Sequence, residues 1–542
     1  MKKGHFILAV VIFLIAVVFA FYFFDYIDFP DLSLIPYYAA FSLLRMSVAY
    51  FFALCFALSY GYVAATNKRS RSFMLPFLDI LQSIPILGFF PAAVLFFISH
   101  IHGRPGVEMA AIFLIFTSMA WNLAFGVYES LTSIPKEIVE AANSFGLRGW
   151  QRLEKLTIPA CVPKLVYNSI ISWSAGWFFL VASEIISAGS ESYKLPGIGS
   201  FLIDSTYSGK IALMLAGLSV LVIIILLLEL FIWKPMQSWA DRFNYDYRGE
   251  KKPGEFIFNT RVIKRSFHFI FKLFSRVMVL LYIIFHKNKI FETAAKYSGY
   301  FALAAAIGYI LYLLLGSVVK VFLDLPPGAY SIPLAIAYSI LRLGAAYIIC
   351  ILWTIPVAVY IARNKKASSY LMPIMEVTAS IPAIALFPAM VVIFMRYGNL
   401  EIASIILVLL GMQWYMLFNL IAGVKSISND LENVALSYGI KGKLYWKKVI
   451  LPAMFPSFVT GSITAWGGGW NTLIVAEYIT FNGNVYHLFG IGYLLDRATF
   501  ESPDPGMVLL SVLSMSVTII ILNKLIWQPL YRKALTKYKL EV

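Results

Sequence analysis

Long apolar stretches alternate with short polar ones along almost the whole chain. Each apolar stretch holds about 20 residues or more, which is the length that a helix needs to cross a hydrocarbon layer of roughly 30 Å. We therefore expect an all-α polytopic membrane protein with about twelve transmembrane helices. The predicted spans are residues 6–24, 37–65, 73–99, 109–128, 166–188, 211–233, 298–323, 334–361, 371–395, 402–423, 457–479 and 507–528.

The second half of the chain repeats the first. Ser42–Arg45 (SLLR) returns as Ser339–Arg342 (SILR) 297 residues later, and the separation falls to 293 residues after a loop that is longer in the first half, so that Glu184 matches Glu477. A match over this length indicates an internal duplication. Because six spans is an even number, both repeats enter the membrane in the same sense, and we expect a pseudo-twofold axis along the membrane normal.

The repeats predict a three-part organisation. Residues 1–240 form the first six-span repeat and residues 297–542 the second. Residues 241–296 are charged and carry a Pro-Gly pair, which is typical of a linker, and we place them in the cytoplasm. Within the linker, residues 262–286 mix basic positions with aromatic and aliphatic ones, which favours an amphipathic helix lying in the membrane interface over a further span.

The composition adds an orientation. Hydrophobic residues make up 60% of the chain and charged residues 13%, whereas about a quarter of a soluble domain is charged. The net charge is +16, and Lys and Arg concentrate in the loops that would be cytoplasmic if both termini were inside. We therefore predict a multi-pass protein of the plasma (inner) membrane with cytoplasmic N- and C-termini, in contact with lipid and not with nucleic acid.

Two polar, basic loops occupy equivalent places in the two repeats. Each is predicted to hold a short helix, then a glycine at which the chain turns, then a proline thirteen residues after that glycine. One such loop would be interpreted as an ordinary solvated connection, but two copies with the same spacing indicate a shared task. The defining residues are Glu140, Ala141, Ala142, Gly146 and Pro159 in the first loop, and Asn433, Val434, Ala435, Gly439 and Pro452 in the second.

These residues carry a resemblance. Glu140–Ala142, followed by Gly146 and Leu156–Pro159, resembles the EAA loop of permease subunits in binding-protein-dependent ABC importers. The second copy is looser, because Asn433 replaces the acidic residue and Glu432 stands one place earlier. The Ser-Ile-Pro motif of each repeat, and an acidic residue ahead of a Gly-Ile-Gly loop, make the chain most similar to the nitrate/sulfonate/taurine-type permeases.

The resemblance implies a fold, partners and a mechanism. The fold would be that of the MetI-like permeases, here with two permease subunits fused in one chain. Each loop would form a coupling helix seated in a cytoplasmic ATPase subunit, and closure of two such ATPases would switch the permease between inward- and outward-facing states. ATP would be used by those partner subunits, with no cofactor in this chain. An extracytoplasmic solute-binding protein would deliver a small solute, with an anion favoured. Either two different ATPases or one asymmetrically engaged homodimer would fit the Asn433 substitution.

Polar and proline residues at membrane depth are candidates for the translocation pathway. A buried carboxylate is costly, so it is expected to face a partner, a cavity or the bundle interior, and a purely structural hydrogen bond is the alternative. Prolines free backbone carbonyls that protein or a cavity must cover. Arg45 and Arg342 are interpreted as snorkelling, or as pairing within their own helix. The pathway candidates are Ser83, Pro85, Ser380, Pro382, Trp177, Trp470, Glu184 and Glu477.

Common enzyme motifs are missing from the sequence. It contains no G-x-x-x-x-G-K-[ST] run, no H-E-x-x-H and no G-x-S-x-G, so we expect a transport component without its own ATPase site. The alternative function is a proton- or ion-coupled secondary carrier with parallel repeats, in which Glu184 and Glu477 would be proton sites. A membrane scaffold and an exporter are further rivals. The matched loops favour the importer, because a carrier needs no coupling helices.

Overall fold

The computed structural model describes residues 32–240 and 323–537, together with a few isolated positions between them. Short gaps in these ranges fall at 84, 148, 189–194, 388–389, 391–398, 428 and 482–483. The predicted span at 6–24 and the linker's interfacial helix at 262–286 lie outside the described residues. So does almost all of the predicted span at 298–323.

Helices dominate both repeats, as the long apolar runs predict. The helices of the first repeat are α1 (Ile35–Thr66), α2 (Lys68–Ser83), α3 (Ile86–His100), α4 (Arg104–Thr132), α5 (Lys136–Ser144), α6 (Gly149–Arg152), α7 (Ile158–Ala188), α8 (Ile198–Tyr207), α9 (Ile211–Leu228) and α10 (Lys234–Ala240). Those of the second are α11 (Ile332–Arg363), α12 (Lys365–Ser380), α13 (Leu400–Lys425), α14 (Asn429–Ser437), α15 (Gly442–Tyr445), α16 (Leu451–Glu477), α17 (Ile491–Asp496), α18 (Pro505–Leu522) and α19 (Gln528–Lys537).

Eight helical stretches in the described part of the chain are long and apolar enough to cross a membrane. They contain α1, α4, α7 and α9 of the first repeat and α11, α13, α16 and α18 of the second, and they coincide with eight of the twelve predicted spans. Asn67 and Asn364 end α1 and α11, and their side-chain oxygens accept hydrogen bonds from the first turns of α2 and α12. The same residue type therefore separates the second and third spans in both repeats.

The third predicted span of each repeat is interrupted. In the first repeat α2 ends at Ser83 and α3 begins after Pro85. In the second, α12 ends at Ser380, and a short 3₁₀ helix, Ala383–Leu386, follows Pro382. A proline has no N–H and disfavours a helical conformation at the residue before it. The Ser-Ile-Pro motifs therefore mark true breaks in the two third spans.

Wide helical turns also recur in the two repeats. Five-residue π-helical segments precede α7 and α16, at Leu153–Thr157 and Trp446–Ile450. Another pair, Glu229–Trp233 and Asn523–Trp527, continues α9 and α18. Such segments insert an extra residue into a helical turn. Their equivalent positions show that the duplication extends to irregularities of the backbone.

Packing within each repeat follows one plan. The helix α4 lies between α1 and α7, and α13 lies between α11 and α16 in the same way. Contacts between the repeats involve the interrupted third spans: α3 packs on α16, α17 and α18, and the 3₁₀ helix Ala383–Leu386 packs on α7. One continuous core of buried side chains runs through both repeats. The third spans therefore lie where the two halves meet.

The expected all-α fold is confirmed, and one short β-hairpin accompanies the helices. Tyr478–Phe481 (β1) and Asn484–His487 (β2) pair as an antiparallel hairpin, with Tyr478 opposite His487. The strands are rich in aromatic and β-branched residues, which favour this conformation, and the sequence between them is Asn-Gly, a dipeptide preferred in two-residue hairpin turns. The hairpin directly follows α16 and leads to the second Gly-Ile-Gly loop.

Candidate functional site

The first of the two matched polar loops contains a short helix, and this helix is followed by a glycine in the left-handed conformation. The helix α5 starts after Pro135 and stops at Phe145, and Gly146 follows with φ of 69°. The amide of Leu147 donates to the carbonyl of Ala142 at 3.0 Å, which is the closing bond of a common helix terminus. Glycine reaches this backbone conformation without the steric penalty of a Cβ, which explains why the loop needs it there.

The second loop repeats this terminus. Gly439 follows α14 with φ of 64°, and the amide of Ile440 donates to the carbonyl of Ala435 at 2.9 Å. Both glycines are open around their backbone, because a Cβ added at either one would meet no atom within 4 Å. The conformation of the turn, and not the space around it, therefore restricts both positions to glycine.

The exposed faces of α5 and α14 are also matched. Ala142 and Ala435 are buried, while their neighbours Ala141 and Val434 are exposed, as are Glu140 and Asn433 one residue earlier. Pro159 and Pro452 are half-buried at the starts of α7 and α16. The ten loop residues predicted from the sequence therefore have matching exposure in the two repeats, and their role in docking stays a prediction.

Two aromatic residues were missed by the sequence reasoning. Phe145 and Tyr438 stand immediately before the two left-handed glycines and are 83% and 80% exposed. They are 293 residues apart, as the repeat predicts. Large, partly apolar side chains at equivalent, solvent-facing positions are unusual for an ordinary loop. That coincidence was readable in the sequence.

At the opposite end of the bundle, the first repeat contains a buried cluster of charged and polar side chains. Glu184, at the end of α7, is fully buried and pairs with Arg45 of α1. Arg45 also donates to both carboxylate oxygens of Glu108 in α4, each at 2.8 Å. The hydroxyl of Ser42 donates to Glu184 Oε1 at 2.8 Å. We call Ser42, Arg45, Glu108 and Glu184 the first ion cluster.

The first ion cluster holds the Gly-Ile-Gly loop. The amide of Gly199 donates to Glu184 Oε2 at 2.8 Å, and that of Ile198 donates to Ser42 Oγ at 2.9 Å. A Cβ added at Gly197 would lie 2.1 Å from the carboxylate carbon of Glu184. The loop therefore reaches the carboxylate only because it has no side chain there, and Glu184 and Ser42 each satisfy one amide at the start of α8 that a helix leaves unpaired.

The second ion cluster has the same construction. Glu477 is fully buried, accepts from Ser339 Oγ at 2.6 Å and pairs with Arg342 at 2.9 Å. Arg342 also donates to both carboxylate oxygens of Glu401 at 2.7 Å. The amide of Gly492 donates to Glu477 Oε2 at 2.8 Å, as Gly199 does to Glu184. We call Ser339, Arg342, Glu401 and Glu477 the second ion cluster.

These clusters correct the interpretation of the two arginines. Arg45 and Arg342 neither snorkel nor pair within their own helices, because each is buried and joins carboxylates of two other helices. The loss of solvation from a buried guanidinium must be offset by such pairing. The sequence showed the arginines and acids at equivalent positions but could not show that they meet across α1, α4 and α7. The placement of Glu184 and Glu477 on the translocation pathway stays a prediction.

The other pathway candidates are buried wherever the structure describes their side chains. Trp177 and Trp470 are almost fully buried within α7 and α16, and Pro85 and Pro382 are buried at the two breaks. The side chains of Ser83 and Ser380 are not among those described. Their assignment to a pathway stays a prediction, as does that of the tryptophans and prolines.

One hydrogen bond crosses the boundary at the first break. The amide of Leu87, in the first turn of α3, donates to Asn471 Oδ1 of α16 at 3.1 Å. A Cβ on Gly88 would lie 2.1 Å from the terminal methyl of Met515 in α18. The start of α3 is therefore held closely by the second repeat. The sequence reasoning missed Asn471, because its counterpart in the first repeat is Phe178 and the repeat gives no signal.

The comparison with protein families agrees with this duplicated architecture. The family model described as "Binding-protein-dependent transport system inner membrane component" matches the chain twice, at residues 57–233 and 354–526. The chain belongs to this family. The permease thus carries the family's domain in both repeats. Each match contains one of the two matched polar loops, with Gly146 or Gly439, and one Gly-Ile-Gly loop.

Individual relatives are permeases of several import systems. The taurine transport system permease protein of Escherichia coli (strain K12) is 28% identical over 204 residues, which are 37% of this chain and 68% of that protein. The bicarbonate transport system permease protein of Synechococcus elongatus is 24% identical over 202 residues, with the same two shares. The nitrate import permease protein of Leptolyngbya laminosa is 28% identical over 191 residues, or 35% of this chain and 65% of that protein.

The family assignment settles the class of function. The chain is the permease component of an ABC importer of the inner membrane, belonging to transport systems that work with an ATPase and a solute-binding protein. It resembles the nitrate/sulfonate/taurine-type permeases, as the loop residues predict. The importer is thereby favoured over the secondary carrier.

Proposed function

We propose that this chain supplies the whole transmembrane part of its importer and that its two loops dock two cytoplasmic ATPase subunits. The observation that carries the proposal is the duplicated helix terminus: α5 with Gly146 and α14 with Gly439 have the same turn, the same exposed face and an exposed aromatic residue. A single-repeat permease would need a second copy to present two such surfaces. Here one chain presents both.

In this proposal ATP is bound and hydrolysed by the partner subunits. Closure of the two ATPases draws the two loops together, and the halves rock about the boundary at which α3 meets α16 and α18. Both termini and the linker then lie in the cytoplasm, and a solute-binding protein docks at the opposite end, near the Gly-Ile-Gly loops. The permease itself acts without an enzymatic site.

A small anion is the proposed cargo. The names of the relatives refer to taurine, bicarbonate and nitrate, which share a negatively charged group. The buried acids do not oppose an anion, because Glu184 and Glu477 are fully buried and each is paired with an arginine. The permease would therefore leave the choice among anions to the binding protein.

The docking of ATPases is tested by substituting the loop glycines. Gly146→Val and Gly439→Val force a side chain into the left-handed region, at a cost of about 1–2 kcal/mol or more for a residue with a Cβ, without a clash with any neighbour. We expect each variant to reduce the amount of P-loop ATPase that co-purifies with the tagged permease in mild detergent, as measured by mass spectrometry.

Gly209 offers a matched control. It also has a positive φ, of 67°, and open space around it, but it lies in the connection between α8 and α9. Gly209→Val should leave the ATPase yield unchanged. The proposal fails if the wild-type permease recovers no ATPase, or if Gly209→Val lowers the yield as much as the loop variants do.

A further inference from the structure

We call the loop with α5 and α6 the first coupling loop and the loop with α14 and α15 the second coupling loop. One arginine connects the second coupling loop to the neighbouring transmembrane helix α11, and we call this connection the Arg363 tie. Arg363, the last residue of α11, pairs with Glu432 of α14, with Nη1 and Oε1 3.1 Å apart. The guanidinium also lies over the ring of Tyr445, the last residue of α15, 4.9 Å from its centroid, and donates to the tyrosine hydroxyl. One side chain thus joins α11 to both short helices of the second loop.

The equivalent positions of the first repeat carry residues that do not form this tie. The positions equivalent to Arg363, Glu432 and Tyr445 are Thr66, Val139 and Arg152. The Thr66 hydroxyl donates to the carbonyl of Tyr62 in its own helix at 2.8 Å, and Val139 has no charge. Arg152 donates to Asn143 of the same loop at 3.5 Å. The first loop is therefore not joined to the end of α1 in this way.

The tie also accounts for the departure of the second loop from the family pattern. The acidic residue that the first loop exposes as Glu140 is Asn433 in the second, and Glu432 stands one place earlier. One residue corresponds to a rotation of about 100° around a helix. This rotation turns the carboxylate of Glu432 toward Arg363 and away from the exposed face that carries Asn433 and Val434.

The helix α11 links the tie to the other end of the bundle. It runs without interruption from Ile332 to Arg363 and carries Ser339 and Arg342 of the second ion cluster. Those residues hold Glu477 and the second Gly-Ile-Gly loop. A displacement of the second coupling loop is therefore connected through Arg363 and α11 to the loop at the far side of the membrane.

We propose that Arg363 is a positioning residue that makes the two ATPase contacts unequal. The second coupling loop and α11 move as one unit, so that a docked ATPase acts directly on the second ion cluster. The first coupling loop lacks the Arg363 tie and acts through α4 and α7, to which the chain connects it. This inference rests on the proposed docking of ATPases at both loops.

The test compares transport per ATP hydrolysed in proteoliposomes that contain the permease, its ATPases and its binding protein. Arg363→Gln removes the ion pair and the ring contact at a half-exposed site, and Thr66→Gln is the control at the equivalent position of the first repeat. We expect Arg363→Gln to lower transport per ATP roughly fivefold, the lower end of ordinary coupling between sites, and Thr66→Gln to leave it unchanged. The double variant Arg363→Glu/Glu432→Arg, which exchanges the two charges, should recover part of the transport per ATP that Arg363→Gln loses.

Cross-linking separates failure of the inference from failure of the proposed function. Phe145→Cys and Tyr438→Cys, in a background with Cys55, Cys161 and Cys350 replaced by serine, report contact of each loop with an ATPase. Cross-links at both loops, retained in Arg363→Gln with reduced transport per ATP, are the expected result. Cross-links at both loops with unchanged transport per ATP would overturn the inference alone. Absence of cross-links in the otherwise unaltered permease would overturn the docking proposal, and the inference with it.

Discussion

The two repeats agree at one end of the bundle and differ at the other. The first and second ion clusters have the same residue types at four equivalent positions, and Glu184 and Glu477 each accept from a serine, an arginine and a glycine at equivalent positions. At the loop end only the second repeat has the Arg363 tie, and the acidic residue Glu140 has become Asn433. A duplicated architecture is thus combined with an unequal surface.

The physical difference between the two ends explains this pattern. In an ion cluster, a buried charge without its partner would destabilise the fold strongly, so each member depends on the others. At the loop end the side chains are exposed or half-exposed, where the loss of one charge costs little within the chain. The cluster end is therefore constrained by the stability of the permease itself, and the loop end, in the proposed function, by the ATPases that dock on it.

The largest effect is expected from removal of a buried carboxylate. Glu184→Gln and Glu477→Gln each leave a buried arginine without its fully buried charge partner, which we expect to cost roughly 3 kcal/mol of stability. Because the clusters are alike, the two variants should lower the apparent melting temperature in detergent to a similar extent. The melting curve of the purified permease, followed by exposure of buried thiols, measures this.

Glu108→Gln gives the matched control for these variants. Its side chain is 30% exposed, so water replaces part of the lost interaction, and the decrease in melting temperature should be smaller than for Glu184→Gln. A far larger effect of Glu184→Gln than of Glu477→Gln would show that the two clusters are not equivalent.

Much of this comparison could be predicted from the sequence, and the parts that could not have identifiable causes. The apolar runs gave eight helices in the right places, and the spacing of Gly146 and Gly439 predicted two matched turns. The arginine–glutamate pairing was missed, because pairing between helices depends on which faces meet. Asn471 was missed because its bond to the Leu87 amide crosses the boundary between the halves, where repeat symmetry gives no guidance.

An intermediate effect is expected where the Gly-Ile-Gly loops touch the clusters. A Cβ at Gly197 or Gly490 would lie 2.1 or 2.2 Å from the carboxylate carbon of its glutamate. That carboxylate is held by an arginine and cannot move freely, so Gly197→Ala and Gly490→Ala should each cost about 1–3 kcal/mol, as overpacked sites do. Thermal unfolding in detergent tests the size, and equal losses in the two variants test the equivalence.

Gly467 is the control for these glycine substitutions. It lies inside α16, where an added Cβ would meet nothing within 4 Å. Gly467→Ala should leave the melting temperature unchanged or raise it slightly, because alanine loses less backbone freedom than glycine in a helix. If Gly197→Ala behaved like Gly467→Ala, the close approach of loop and carboxylate would not contribute to stability.

The smallest effect concerns the hydrogen bond between the Leu87 amide and Asn471, which crosses the boundary between the halves. Asn471→Leu removes the acceptor of the Leu87 amide at the start of α3, and an unpaired buried amide costs about 1–3 kcal/mol. We expect a value near the lower limit, because this amide belongs to the first turn of a helix, which water or a neighbouring group can reach more easily.

Asn419→Leu is the control, since the Asn419 amide bonds only to the carbonyl of Tyr415 in its own helix. A lower melting temperature for Asn471→Leu than for Asn419→Leu would show that the bond across the boundary holds the halves together. Equal melting temperatures would mean that apolar packing alone holds the boundary. The two breaks would then be equivalent, although the position of Asn471 in the second repeat is occupied by Phe178 in the first.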